Sequence, residues 1–313
     1  MRGLRIVSTG RALPEHVVTN EDMSRQVDTS DEWIVSRSGI RERRFCTGEE
    51  NSAALAAAAA AQALERSGID PGQLAACIVA TVSPRFATPS NGCVVQHMLG
   101  LPEGLPCFDI SVGCTGFVYG LQIARGLLLQ DSCHPYALVI GAEALSHIMD
   151  FTDRSTCVLF GDGAGAAVIS LADGPYACTL GARGDPDALW ALGPGDTPSH
   201  IHMDGKAVFR FAVEAVPRVV RDLLEQTGLT AEDVDWIVPH QANRRIVESA
   251  ARRLELPMDK FFLNLDRYGN TSAASIPMAL DEMTERGLLV RGQKIICAGF
   301  GAGLTWGGVL LEW

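Results

Sequence analysis

The order of events in the first half of this 313-residue chain recurs in the second, and that repetition limits the fold more than any single segment does. In the first half a helical pattern ends at Ser67-Gly68-Ile69-Asp70, a strand-like run reaches Thr81, and Cys114 opens a helix 33 residues later. In the second half a helical pattern ends at Thr227-Gly228-Leu229, a strand-like run reaches His240, and Asn270 opens a helix 30 residues later. Both then continue with a strand (ALVIGAE from Ala137, KIICAGFG from Lys294), a glycine-rich hairpin and a last strand (GDGAGAAVIS from Gly161, GAGLTWGGVLLE from Gly301). Two similar alpha/beta halves, residues 1–172 and 173–313, account for this order if their corresponding helix starts face a shared centre. Cys114, His240 and Asn270 then point at one site.

The strand candidates Ala75 to Thr81, Tyr136 to Gly141, Ala166 to Leu171, Trp236 to Val238 and Lys294 to Ala298 are short, beta-branched and continuous. Strands covered on both faces read this way. Helical patterns alternate with them over Ser52 to Ser67, Gly116 to Gln130, Phe209 to Thr227, Ala242 to Leu256 and Ser275 to Arg286. Net charge is −11, with 47% hydrophobic and 20% charged residues, which argues against a disordered chain and against a nucleic-acid binder. Met1 to Gly10 reads as a short strand rather than a secretory signal, and the longest apolar run, Ala53 to Ala61, is too short to span a membrane. The nine cysteines are odd in number, scattered, and lack metal-ligand spacing. A reducing cytoplasm follows, with most of the thiols buried and inert.

Cys114 is set apart by its position, because the strand Cys107 to Ile110 turns sharply there and a helix begins. A helix N-terminus favours the thiolate, and Gly113 and Gly116 leave room for a carbonyl group to approach. His240, in VPHQAN, ends a buried strand; Asn270, in RYGNTSAASIP, starts a helix and has the chemistry of an N-cap. A neutral imidazole and an amide both donate hydrogen bonds, so two donors converging on a thioester carbonyl would stabilise an enolate. Gly161, Gly163 and Ala166 fit a loose dinucleotide pattern, but a strand follows them where that pattern needs a helix. Small residues from Phe300 to Trp306 suit backbone N–H donation instead. Further upstream, Thr29 and Glu32 form a capping-box pattern, and Trp33 and Arg37 share a helix face that suits an adenine. Arg244, Arg245, Arg252 and Arg253, with Glu248, make a local basic helix, preceded in the chain by Lys206 and Arg210. On an acidic protein such a patch suits an acidic partner.

The blocks DTSDEWIVSRSGIRER, CTGFVYGL, DRSTCVLFGDGAGAAV, DWIVPHQANRRI, DRYGNTSAASIPMAL and GFGAGLTWGG together resemble the beta-ketoacyl-acyl carrier protein synthase III family, nearly end to end. The resemblance implies a thiolase-like fold in an αβαβα layering, a homodimer, and a catalytic set of Cys114, His240 and Asn270. It implies an oxyanion hole from the N–H groups of Cys114 and Ala302, and no metal or redox cofactor. Trp33, Arg37 and Arg154 would hold the coenzyme A nucleotide, Phe209 and Asn243 the pantetheine arm, and Arg210, Arg245, Arg252 and Arg253 the acyl carrier protein. Acyl-CoA and malonyl-acyl carrier protein would be the substrates. Ser38, Ser155, Val112-Gly113 and Ala302 depart from the commonest family pattern. So does Thr88, in RFATPS, where acetyl-preferring members carry Phe at the end of the acyl pocket; a smaller side chain leaves volume for longer or branched primers.

Three rival readings stand beside this one. A thiolase needs a second working cysteine, and the C-terminal candidate, Cys297, lies inside the strand KIICA. A ketosynthase III homologue of a secondary-metabolite pathway would share the same chemistry. A non-catalytic acyl-CoA-binding subunit would have no use for the three residues together.

Overall fold

The chain is described here by a computed structural model covering residues 2–193 and 200–313. Its first sheet holds β1 (Gly3–Ala12), β2 (Leu74–Ala80), β3 (Cys107–Ile110), β4 (Tyr136–Glu143) and β5 (Gly163–Ala172), in the order β1-β5-β4-β2-β3. The second holds β6 (Ala177–Asp185), β7 (Trp236–Pro239), β8 (Lys294–Gly301) and β9 (Gly303–Glu312), in the order β6-β9-β8-β7. In the first, β2 lies parallel to β3 and β4, and β5 lies antiparallel to β4 and β1. In the second, β7 lies parallel to β8, and β9 lies antiparallel to β8 and β6. A single parallel bridge from Phe261 to Ile237 of β7 stands where a counterpart of β3 would fall.

The principal helices are α1 (Asp31–Ser38), α2 (Ser52–Ser67), α3 (Gly116–Gln130), α4 (Gly205–Thr227), α5 (Arg244–Leu254) and α6 (Ser275–Glu285). Helices α3 and α6 lie between the sheets. Phe117 and Leu121 of α3 and Ile276, Leu280 and Met283 of α6 share one core with Ile78 and Val139 of the first sheet and Cys297 and Val309 of the second. Fully burying each such side chain is worth about 1.5–3 kcal/mol, so this shared layer is what binds the halves together. Helix α2 covers the outside of the first sheet and α4 the outside of the second, giving five layers. Alanines on α2 permit close contact with β1, where a Cβ on Gly10 would stand 2.4 Å from the Ala59 carbonyl oxygen.

Several local expectations need correction. Helix α1 is capped by Ser30, whose hydroxyl accepts the Trp33 N–H, while the Thr29 hydroxyl is buried without a hydrogen-bond partner. The helix expected from Ala242 to Leu256 is shorter at both ends, because Asn243 caps it and Glu255 leaves it with φ +57°. The strand expected from Met1 to Gly10 covers Gly3–Ala12, and Met1 lies outside the described residues. Gly163 and Ala166 belong to β5, so no helix follows the dinucleotide-like pattern. Burial of the cysteines is less general than expected, since Cys93 and Cys133 are exposed. Among the described residues, no helix is long and apolar enough to cross a membrane.

Candidate active site

Cys114 sits in a short 3-10 turn, Gly113–Thr115, between β3 and α3. The turn is pressed against the tip of the β8–β9 hairpin from the other half. A Cβ on Gly301 would stand 2.8 Å from the Cys114 nitrogen, and one on Gly113 3.2 Å from the Ala302 nitrogen. Only glycine at these positions lets the two backbones meet. Thr115 Oγ1 and Thr305 Oγ1 lie 2.9 Å apart and tie turn to hairpin. The thiol is 7% exposed, and burial pushes it up to about 12. The Ser272 hydroxyl opposes that shift and the Glu143 carboxylate adds to it. Burial thus opposes the thiolate that a helix N-terminus favours.

His240 follows β7, and its backbone N–H donates to the Ala298 carbonyl at 2.8 Å, so the strand ladder fixes its place. Its Nδ1 lies 2.7 Å from Ser275 Oγ, and its ring meets Phe300 edge to face at 5.3 Å. Burial holds the imidazole down at about 3, hence neutral. Ser275 Oγ also accepts the Gln241 N–H at 3.4 Å; when it donates its own hydrogen to Nδ1, the ring proton sits on Nε2. Asn270 is anchored by its backbone, donating to Leu159 and accepting from Gly161 at 2.9 Å each. It is not the N-cap of a helix: α6 begins at Ser275, after a separate turn over Ser272–Ala274. Its Oδ1 accepts the Ser272 N–H at 2.9 Å, leaving Nδ2 as the donor.

Cys114, His240 and Asn270 line one cavity of about 440 Å³. Phe160, Leu189, Val208 and Phe300 make its walls apolar, and Trp33, Arg37, Phe209 and Asn243 line it as well. The Arg37 guanidinium lies 6.0 Å and that of Arg154 5.5 Å from the Trp33 ring centre, so the indole is flanked by two cations. Arg154 also donates to the Asp28 carbonyl at 2.7 Å. Asn243 uses both ends of its amide within the protein, accepting from the Arg245 N–H and donating to the Arg37 carbonyl, each at 2.9 Å. It thereby joins α5 to α1. Arg245 lies over the Phe209 ring at 5.7 Å, and Arg210, Arg245, Arg252 and Arg253 are all exposed. Arg244 is paired with Glu248 at 2.9 Å. Thr88 is exposed and does not line the cavity of its own chain, and Phe86 is 45% exposed. Cys297 is buried in β8, with its thiol pushed up to about 12 by burial.

Sequence reasoning passed over Ser275, Ser272, Phe300 and Glu143 as site residues. The first two lie in the RYGNTSAASIP block, whose hydroxyl spacing carried a weak signal; Phe300 and Glu143 are single residues at strand ends with none.

Two layered halves around a buried cysteine, histidine and asparagine define a condensing enzyme of the thiolase-like fold, an acyltransferase. Residues 108–185 match the family described as 3-oxoacyl-[acyl-carrier-protein (ACP)] synthase III, and residues 224–313 match its C-terminal counterpart. A beta-ketoacyl-[acyl-carrier-protein] synthase III of Clostridium acetobutylicum is 48% identical over 326 residues, covering 100% of this chain and 99% of the relative. The crystal structure of 3-oxoacyl-[acyl-carrier-protein] synthase III from Aquifex aeolicus superposes with a TM-score of 0.93 at 43% identity, over 99% of this chain and 100% of that one. The priming beta-ketosynthase from the R1128 polyketide biosynthetic pathway superposes with a TM-score of 0.92 at 34% identity, over 99% and 96%. This chain belongs to the beta-ketoacyl-[acyl-carrier-protein] synthase III family.

Proposed function

We propose that the chain initiates fatty acid synthesis by condensing an acyl-CoA primer with malonyl-acyl carrier protein through an acyl group on Cys114. The observation that carries this reading is the convergence of Cys114, His240 and Asn270 on one apolar cavity. In the first half-reaction the Cys114 sulfur attacks the primer thioester, the oxyanion takes hydrogen bonds from the N–H groups of Cys114 and Ala302, and coenzyme A leaves as the thiol. In the second, His240 and Asn270 donate to the thioester carbonyl of the malonyl group. Carbon dioxide departs, the enolate carbon attacks the acyl-cysteine, and 3-ketoacyl-acyl carrier protein is released as the acyl C–S bond breaks, leaving Cys114 as a thiolate that takes a proton from solvent. Trp33, Arg37 and Arg154 hold the coenzyme A nucleotide, and Phe209 and Asn243 flank the pantetheine arm. Arg210, Arg245, Arg252 and Arg253 receive the acidic carrier. The chemistry needs no cofactor.

A cytoplasmic homodimer belongs to the same reading. What supports the pairing is the edge strand β3, with no neighbour on its outer side among the described residues, and the exposed Phe86 and Met98 close to it in the chain. Thr88, exposed on its own chain, would then reach an acyl pocket only across that interface and favour longer or branched primers. A dedicated polyketide pathway is the second reading, supported by the likeness to the R1128 priming enzyme. Intact-protein mass after incubation with acetyl- to long- and branched-chain acyl-CoA tests the proposal, with Cys114→Ala as control. Acyl groups on the native chain and none on the variant are expected; equal labelling of both overturns it. Turnover with the bulk fatty-acid carrier protein separates the two pathways.

A further inference from the structure

Among the described residues Arg43 is the largest side chain that is buried outright, and the steps above make no use of it. It lies on the short strand Glu42–Phe45, which pairs with His16–Thr19. Its guanidinium donates to the Val158 carbonyl at 2.6 Å, to Asn20 Oδ1 at 2.8 Å and to the Val18 carbonyl at 3.4 Å, while Nε is buried without a partner. Asn20 is itself held, its Nδ2 donating to Asp31 Oδ1 and to the Ile40 carbonyl at 2.8 Å each. None of the three acceptors of the guanidinium is a carboxylate. A buried cation without an opposite charge is costly, and an apolar side chain of similar volume would fill the same space without that cost.

The segment that the guanidinium holds, residues 158–161, carries Asn270. The Leu159 carbonyl accepts the Asn270 N–H and the Gly161 N–H donates to the Asn270 carbonyl, each at 2.9 Å, as part of a parallel bridge between Phe160 and Asn270. The stem of Arg43 packs against both sides of this bridge. A Cβ on Gly161 would stand 3.1 Å from Arg43 Cβ, and one on Gly269, whose φ is +65°, would stand 3.2 Å from it. The next carbonyl along the strand, that of Arg44, accepts the Asp162 N–H at 2.9 Å and secures the far end of the segment. Val158, Leu159, Phe160 and Asn270 all line the cavity. Cys114 and His240 are held by other elements, the first by the turn against the β8–β9 hairpin and the second by β8 and Ser275. We infer that Arg43 is a positioning residue for the second half-reaction, fixing residues 158–161 so that the Asn270 amide reaches the malonyl thioester carbonyl. Arg43 acts through the backbone that lies between it and Asn270. A misplacement of about 1 Å at a donor of this kind is enough to slow a reaction by about 100-fold. Burial lowers the guanidinium to about 10, so it stays a cation at neutral pH.

The inference rests on Asn270 donating in the condensing step, and the test separates the two. Single-turnover mass spectrometry at saturating acyl-CoA measures transfer of the acyl group to Cys114, and CO2 release from malonyl-acyl carrier protein measures the second step on chain acylated beforehand. Arg43→Met, which keeps the stem and removes the guanidinium, is expected to slow CO2 release by about 50-fold and to leave acylation within about threefold. Arg43→Lys keeps the charge but not the planar fork, and is expected to slow CO2 release by about 10-fold with acylation again spared. On chain already carrying Asn270→Ala, either change is expected to slow CO2 release by no more than about a further threefold, because the amide it positions is gone. Unchanged CO2 release, equal losses in both steps, or losses that multiply in the double variant overturn the assignment. Should Arg43→Met fail to fold, Arg43→Lys decides alone, by the same split between steps and the same pairing with Asn270→Ala. An Asn270→Ala chain that releases CO2 as fast as the native one overturns instead the reading beneath it.

Discussion

Ser275 Oγ stands 2.7 Å from His240 Nδ1, and this contact engages one of the two ring nitrogens within the protein. Ser275→Ala removes the partner that orients the ring. Decarboxylation of malonyl-acyl carrier protein by acylated enzyme is expected to fall by about 10-fold, while Ser275→Thr keeps most of it. CO2 release is the measurement, and an Ala variant as fast as the native chain refutes the assignment.

Asn270 offers one donor, Nδ2, because Oδ1 is engaged by the Ser272 N–H. Asn270→Ala removes a hydrogen bond needed only once the enolate forms. It is expected to slow decarboxylation by about 100-fold and to leave acylation of Cys114 within about threefold. Equal loss in both half-reactions would show that Asn270 merely holds the site together.

The backbone contact between the halves can be probed at Gly301. An added Cβ there meets the Cys114 nitrogen at 2.8 Å and its Cβ at 3.0 Å, so the hairpin must shift. Gly301→Ala is expected to cost about 1–3 kcal/mol in denaturant unfolding and to slow acylation by more than about 10-fold. Gly104→Ala, whose Cβ would meet nothing within 4 Å, serves as control.

Stability should depend on pH through His240. Its folded value of about 3 lies below the ordinary 6.5, so between these the unfolded chain binds a proton that the folded chain refuses. Stability present above pH 6.5 is lost as pH falls toward 3, at up to about 1.4 kcal/mol per pH unit. Denaturant unfolding of His240→Gln is expected to lose about 2 kcal/mol less than the native chain between pH 7 and pH 5. Glu143, held up at about 7, works in the opposite direction in both proteins and cancels from the comparison. Identical slopes would show that the imidazole titrates freely.

Much of this was legible in the residues because the features concerned are local. Continuous apolar runs announce strands covered on both faces, and β2 is buried at all seven of its positions. Cys114, His240 and Asn270 each stand where a strand ends or a turn leads into a helix, and the doubled order brought them to one centre. What escaped depends on contacts distant in the chain. The thiol is raised because the hairpin at Gly301 covers it from across the fold, and no local pattern encodes that cover. Thr29 and Ser30 are both able to cap α1, and spacing to Glu32 favoured the one the fold does not use. The acyl-pocket role of Thr88 was carried by likeness alone, and on its own chain the residue faces outward.

The joint where Gly113 meets Ala302 and Gly301 meets Cys114 has a bearing on ancestry. The sulfur comes from the first half, the imidazole, the amide and the hairpin from the second, so neither half by itself assembles the cavity. A single-unit forerunner would have needed two copies docked through the same central helices to enclose one. Where the first half places Cys114, the second places Asn270, so the doubled order of elements carries different chemistry at its two corresponding positions.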